Sequence, residues 1–188
     1  MPNDGVRDQP DVSLFAANGI WNHFYVYCMS DAKEGGAPCQ YDTANEVFAH
    51  AAGGTSFAAP AFAGIQALVQ EIYGPTQLGN PAPEYYRIAK AQYSTSLGFS
   101  KCDATLGNKI SSACVFHYVS RGDNTEPCYA GSADCQTAST SPNALGVLAT
   151  TIGGKRLFAY PAHPVYSLAN GLGTVNVTNL LYNYNLSY

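Results

Sequence analysis

The sequence predicts an α/β fold, in which strands and helices pack in layers around a shared core. Short stretches rich in Val, Phe and Tyr, such as residues 23–28, have the composition of strands. The stretch at 56–73 is apolar nearly all round, which is typical of a buried helix. Long segments rich in Gly, Pro, Ser and Asn separate these elements and predict extended loops.

The first half of the chain contains two predicted strands and the apolar helix. The segments PDVSLFA (10–16) and HFYVYC (23–28) have strand composition and are bounded by Pro, Gly and Asn. Residues 28–54 form a predicted loop. The helix over 56–73 follows directly, and we expect it to lie in the core because small and large apolar residues cover all its faces.

The second half contains further helices and strands with less regular spacing. A helix is predicted over PEYYRIAKAQY (83–93), with Pro83 at its start, where a missing N–H costs least. The remaining segments are predicted as a loop at 95–114, a strand at 114–120, a turn-rich stretch at 121–144, a strand or helix at 144–153 and a short helix capped by Thr174.

Composition and charge exclude two classes of partner. The chain has 188 residues, of which 46% are hydrophobic and 12% charged, and its net charge is −4. Because no run of Lys and Arg occurs, nucleic acid is not an expected partner. The apolar runs are broken well short of the roughly 18 residues that a membrane span needs. We therefore expect a globular protein that does not cross a membrane.

Six cysteines predict disulfides rather than a metal site. There is no Cys-x-x-Cys pair, and the four histidines do not lie beside cysteines as a structural zinc site requires. Three pairs of sequence neighbours are predicted: Cys28–Cys39, Cys102–Cys114 and Cys128–Cys135. Because disulfides persist in oxidising compartments, the sequence predicts a secreted, extracellular protein. The sequons at Asn176 and Asn185 agree with this prediction.

The first 19 residues lack the features of a signal peptide. They contain no basic stretch followed by an apolar one, although the cysteines indicate export. We therefore expect the chain to be part of a larger protein.

The sequence places a serine at the start of the apolar helix. Gly53 and Gly54 permit a sharp turn, and Thr55 and Ser56 follow at the helix N-terminus. There the first backbone N–H groups have no partner within the helix, so an oxyanion formed beside Ser56 finds donors. The alternative is that the serine only caps the helix.

The stretch GGTSFAAPAFAG (53–64) resembles the serine motif of the sedolisin family, the serine-carboxyl peptidases. Ala61 stands where subtilisins usually have His after the proline. Three further segments are similar to the family, and they lie at 7–19, 116–135 and 159–181. The resemblance implies that residues 1–188 are the C-terminal part of a sedolisin-like catalytic domain, with part of a subtilisin-like fold: a parallel sheet flanked by helices, with long disulfide-closed loops.

The resemblance also implies a chemistry. Ser56 matches the family's nucleophile, and Gly54 and Thr55 support the turn and the oxyanion site. The family's Glu and Asp, and its oxyanion Asp, match nothing in this chain, so they are expected in a missing N-terminal part, along with a propeptide. Because a Glu base with a pKa near 4.3 stays deprotonated in acid, activity on peptide or protein substrates is expected at acidic pH. The alternative is a non-catalytic secreted binding module derived from a degenerate peptidase.

No metal or other cofactor is expected. The family's calcium site uses carboxylates near the C-terminal end, but this chain has Tyr118, His163, Val165 and Ser167 in the matching stretches. Since calcium prefers several charged oxygen ligands, the resemblance implies that the site is lost and that disulfides stabilise this end.

Two other polar residues are candidates for catalysis. His50 lies six residues before Ser56 and could be a local base, but we favour a polar loop residue. Asp11 is predicted to be structural, bonding the backbone or Arg7.

Overall fold

The computed structural model describes residues 5–19, 23–39, 50–75 and 77–184. The chain divides into two compact units, one formed by Leu14–Gly64 and the other by Met1–Ser13 together with Ile65–Tyr188. The predicted sequon at Asn185 lies outside the described residues.

A small antiparallel ladder organises the unit Leu14–Gly64. Strand β1 (Tyr25–Tyr27) pairs with β2 (His50–Ala52), which lies within the stretch predicted as a loop. The stretch 10–16 is extended but forms no strand. Its final carbonyl, that of Ala16, instead accepts a hydrogen bond from the N–H of Gly54 at 2.7 Å.

Helix α1 (Thr55–Ile72) confirms the predicted helix but not its predicted burial. Of its 18 residues, Val69 alone is buried. Phe57, Leu68 and Ile72 are 40%, 50% and 59% exposed. An all-round apolar helix needs cover on every side, and the described residues cover only the side that carries Val69.

The larger unit packs two further helices after α1. Helix α2 (Ala82–Tyr93) carries Pro83 in its first turn, as predicted, and buries Tyr85, Ile88 and Ala89. Helix α3 (Ser96–Lys101) follows within the stretch predicted as a loop, because the Thr95 hydroxyl accepts a hydrogen bond from the N–H of Gly98 and caps it. Strand β3 (Phe116–His117) lies in the predicted strand at 114–120.

The side chain of Gln92 connects α2 to β3. Its Oε1 accepts hydrogen bonds from the N–H groups of Val115 and Phe116 at 2.7 and 3.1 Å, and its Nε2 donates to the Phe116 carbonyl at 2.8 Å. Phe116 is fully buried, and its ring packs against that of Tyr85. This short strand is therefore held by a side chain as well as by its β partner.

A four-stranded antiparallel sheet occupies the turn-rich part of the chain. It consists of β4 (Pro127–Tyr129), β5 (Cys135–Gln136), β6 (Leu145–Ile152) and β7 (Lys155–Phe158). Strand β6 pairs with the other three. The ambiguous stretch at 144–153 is thus a strand.

The chain ends in a strand and a helix. Strand β8 (Thr174–Val175) pairs antiparallel with β3, and α4 (Val177–Asn183) follows. The helix is predicted correctly, but its cap is not: Thr174 lies in β8, and the Asn176 side chain accepts from the N–H of Asn179. The sequon at Asn176 therefore contains the cap of α4.

The predicted parallel sheet of a subtilisin-like fold is wrong. Every sheet among the described residues is antiparallel, and the helices are small apart from α1. Parallel neighbours need crossover connections of a dozen or more residues, whereas β6 and β7 are joined by Gly153 and Gly154 alone. The architecture is a mixture of helices and short antiparallel sheets.

All three predicted disulfides are present. Cys28–Cys39, Cys102–Cys114 and Cys128–Cys135 close short loops, and no free cysteine occurs. These bonds are consistent with a secreted or extracellular protein. Among the described helices, none has the length and apolar character to span a membrane.

The disulfides differ in burial, which predicts different reactivity. Cys102 and Cys114 are each 2% exposed and contact Tyr118, whereas the other four cysteines are half-buried. Because reductant must reach the sulfur, we expect Cys102–Cys114 to be reduced last under native conditions. Timed treatment with dithiothreitol, alkylation and mass spectrometry measures the order. Equal rates for all three bonds would contradict the packing described here.

Candidate functional site

The turn before α1 is fixed to a neighbouring backbone segment. Gly54 has φ of +106°, a conformation that favours glycine, and its N–H donates to the Ala16 carbonyl. Its own carbonyl accepts from the N–H of Phe57 at 3.0 Å, which starts the helix. The position of Ser56 is therefore set by hydrogen bonds on both sides of the turn.

Gly53 is required for a different reason. A Cβ atom at this position would lie 1.8 Å from the Ala17 carbonyl oxygen and 2.5 Å from the Asn18 Cα. Both atoms belong to the backbone, so no side-chain rotation relieves the overlap. Only glycine lets the two chain segments approach so closely.

Ser56 is the second residue of α1, and its side chain is exposed. The Phe57 N–H is bonded to the Gly54 carbonyl, which leaves the N–H groups of Thr55 and Ser56 as the donors at this end of the helix, where the helix dipole is positive. Among the residues that the structure describes, none is hydrogen-bonded to the Ser56 hydroxyl. The Ser56 hydroxyl is therefore accessible and lies beside backbone N–H donors.

Aromatic side chains fix the start of α1 to β1. The Phe57 ring stacks on that of Tyr25, with 5.8 Å between centroids, and Tyr25 packs edge-on against Phe15 at 4.9 Å. The Tyr25 hydroxyl donates to the Phe15 carbonyl at 2.7 Å. These contacts, which the sequence analysis missed, hold the residue directly after Ser56.

The structure places the other candidates as follows. Thr55 is the first residue of α1 and is exposed, directly beside Ser56. His50 is not a loop residue: it lies in β2, exposed, with its ring 5.4 Å from that of Tyr27. The N-terminal turn of α1 therefore brings Gly54, Thr55 and Ser56 together.

Asp11 has the structural role that the sequence predicts. Its carboxylate accepts hydrogen bonds from the Arg7 guanidinium at 2.5 Å and from the Tyr86 hydroxyl at 3.0 Å. Its backbone carbonyl accepts from the N–H of Leu172. Burial and the adjacent Asp11 carboxylate raise the pKa of Tyr86, so its phenol keeps its proton and remains the donor.

Tyr118 and Ser167, which the sequence resemblance places at a calcium site, form other contacts. Tyr118 is buried, its hydroxyl donates to the Phe99 carbonyl at 2.7 Å, and its ring packs against Tyr93. Ser167 is buried and its hydroxyl donates to the Asn170 side chain. Within the described residues, no group of three or more His, Cys, Asp or Glu side chains could hold a metal ion.

Added calcium is expected to leave the melting temperature unchanged, because Tyr118 and Ser167 offer no carboxylate. EDTA is likewise expected to have no effect. Thermal unfolding in millimolar calcium, in EDTA and in magnesium as a control measures both effects. A calcium-specific rise in Tm would show that carboxylates elsewhere in the chain form a site.

The larger unit contains a cavity of about 290 Å³, which the sequence analysis missed. Ile88, Val115 and the Cys102–Cys114 disulfide supply its apolar walls. Its polar side chains include Gln92, which is bonded to β3, and Arg87, which is paired with Glu84. The cavity can accept a small apolar group.

Comparison of the chain with protein-family models, curated proteins and solved structures finds no match. A function can therefore be inferred only from the residues around Ser56.

Proposed function

We propose that this chain is the nucleophile-bearing part of a secreted, acid-acting serine peptidase. The observation that carries the proposal is the exposed Ser56 hydroxyl at the start of an 18-residue helix, after a glycine turn fixed to a second backbone segment. Such a turn presents an oxygen nucleophile next to unpaired backbone N–H groups. The sequence resemblance to sedolisins supports the same role for Ser56.

In the proposed reaction, Ser56 Oγ attacks the carbonyl carbon of a peptide bond. The hydroxyl proton passes to a carboxylate base, and the oxyanion is stabilised by the N–H groups at the start of α1. Collapse releases the amine product, which takes that proton from the base, and leaves an acyl-serine ester. Water then hydrolyses the ester to the carboxylic acid product and regenerates the Ser56 hydroxyl. We assign the base to polypeptide outside this chain, because no Glu or Asp here matches the family's base.

The exposed faces of α1 support a further packing partner. Phe57, Leu68 and Ile72 are all at least 40% exposed, and each side chain exposes apolar surface to water. We propose that the polypeptide that supplies the base also covers this helix. The same contact would then complete the site and stabilise the apolar surface.

One observation favours the non-catalytic alternative. In the unit Leu14–Gly64, several large apolar residues are exposed: Phe15, Phe24, Val26, Tyr27 and Met29. Exposed apolar side chains in this number are candidates for a binding surface. A degenerate peptidase kept for binding would use this surface and leave Ser56 idle.

An activity assay between about pH 3 and 5, where a Glu near its reference pKa can act as a base, separates the two functions. The 188-residue chain is expected to show no Ser56-dependent cleavage of a denatured protein substrate. The complete polypeptide that contains it, expressed from its open reading frame, is expected to cleave. Inactivity of the complete polypeptide would reject the peptidase, while Ser56-dependent turnover by the isolated chain would place the base within it.

A further inference from the structure

The β6–β7 hairpin ends in a tight turn that fixes the direction of its backbone groups. Gly153 and Gly154 have φ values of +57° and +76°, which match a type I′ turn. The turn joins Ile152 to Lys155, and the C=O of the first accepts from the N–H of the second. Successive residue pairs between β6 and β7 then alternate between hydrogen-bonded and non-hydrogen-bonded.

This alternation leaves a free hydrogen-bonding edge on β7. Arg156 lies opposite Thr151 and Phe158 opposite Ala149, in the non-bonded pairs. Their N–H and C=O groups therefore point away from β6. Within the described residues, β7 pairs with β6 alone, and all four of its residues are exposed. The edge can accept another strand.

Strand β7 carries two adjacent cations, Lys155 and Arg156. The nearby acidic residues Glu126 and Asp134 bond the other end of β6 through their backbone carbonyls, at Leu148 and Ala149. Neither cation forms an ion pair with a described residue. The chain as a whole has a net charge of −4, which makes the edge a local exception.

Exposed apolar side chains lie next to these cations. Strand β7 reads Lys-Arg-Leu-Phe, so each of its two faces carries one cation followed by one apolar residue. Leu157 is 48% exposed, and Ile152 on the same face is 65% exposed. A complementary strand would therefore place two acidic residues opposite the two cations and two apolar residues opposite Leu157 and Phe158. An antiparallel strand carries the apolar pair first, and a parallel strand carries the acidic pair first.

We propose that the free edge of β7 binds an extended acidic peptide segment as an added strand. Backbone hydrogen bonds to Arg156 and Phe158 would hold the segment, and its carboxylates would lie opposite the two cations. A second copy of this chain fits less well, because its β7 strand offers no carboxylate to Lys155 and Arg156.

The test uses the Ser56→Ala chain, so that cleavage of the probe and failure of the proposed peptidase do not affect the result. The probe is a fluorescein-labelled peptide, Thr-Val-Val-Glu-Glu-Thr, titrated by fluorescence polarisation. We expect saturable binding that weakens in high salt. The paired substitution Lys155→Glu and Arg156→Glu should reduce affinity roughly tenfold or more, while circular dichroism should be unchanged because both side chains are exposed.

Two N-methylated probes test strand addition itself. In a paired strand, every second backbone N–H points toward the neighbouring strand. One probe is therefore methylated at the odd-numbered nitrogens and the other at the even-numbered nitrogens. One probe should lose binding and the other should keep it. A Thr-Val-Val-Lys-Lys-Thr peptide is the charge control and should not bind.

Three outcomes would overturn the proposal. The first is equal binding of the two methylated probes, which would reduce the edge to a general positive surface. The second is no binding of the acidic peptide together with binding to phosphatidylserine vesicles, which would assign the hairpin to a membrane surface. The third is a dimer in sedimentation experiments that excludes the peptide.

Discussion

In the proposed peptidase, replacing Ser56 with alanine in the complete polypeptide is expected to lower kcat by roughly 10⁶-fold, which is the cost of losing the nucleophile of a serine peptidase triad. The loss should fall on kcat rather than on KM, because the hydroxyl reacts but does not position the substrate. The side chain is exposed, so the melting temperature should change little. Steady-state kinetics with a quenched fluorescent peptide near pH 4, with thermal unfolding of each variant, measure both quantities.

Ser132→Ala is the matched control. It also removes an exposed hydroxyl, but from a turn in the larger unit, and should leave kcat unchanged. Retention of more than about a tenth of the activity by Ser56→Ala would show that another group is the nucleophile, because residual catalysis by oxyanion donors alone is far weaker. A fall in stability without loss of kcat would assign Ser56 a structural role alone.

The turn at Gly54 and the helix after it were predictable from sequence because their determinants are local. Two glycines, a hydroxyl and an apolar helix follow one another within residues 53–72, and the turn geometry depends on these neighbours. The same holds for the disulfides, whose partners are at most 12 residues apart. What the glycines contact was not predictable, since Ala16 and Ala17 come from a distant part of the sequence.

The prediction of the sheet was wrong because strand pairing depends on residues that are far apart in sequence. Residues 10–16 have strand composition, yet their hydrogen bonds go to glycine-containing segments and not to a strand. The Ser13 N–H donates to the Gly173 carbonyl, and the Asp11 carbonyl accepts from the neighbouring Leu172. The Ala16 carbonyl accepts from the Gly54 N–H. Composition indicates an extended backbone, but the choice of partner depends on contacts between residues far apart in sequence. The expected parallel sheet came from the family resemblance, and the described residues pair locally as antiparallel ladders instead.

The exposure of α1 was also not predictable from the sequence. An apolar surface on all sides predicts a helix that is covered, but it does not say which polypeptide covers it. Leu68 and Ile72 have the composition of core residues and are half exposed here. The pattern is therefore consistent with a helix whose remaining contacts lie outside the described residues.

Replacing Gly53 with alanine is expected to destabilise the unit Leu14–Gly64 by about 3 kcal/mol or more, at the upper end of overpacking costs. The added Cβ would lie 1.8 Å from the Ala17 carbonyl oxygen, so the backbone at 16–18 must move. That movement also displaces the Ala16 carbonyl, which accepts the Gly54 N–H and fixes the turn. In the proposed peptidase, loss of kcat should therefore accompany loss of stability.

Gly64→Ala is the matched control for this prediction. Gly64 lies in the interior of α1, and a Cβ there meets no atom within 4 Å. Because alanine favours a helix over glycine, this variant should gain about 1 kcal/mol in the free energy of unfolding. Urea unfolding followed by circular dichroism measures both variants. If Gly53→Ala were as stable as the parent while Gly64→Ala gained stability, the close approach of the turn to Ala17 would not constrain the position of Ser56.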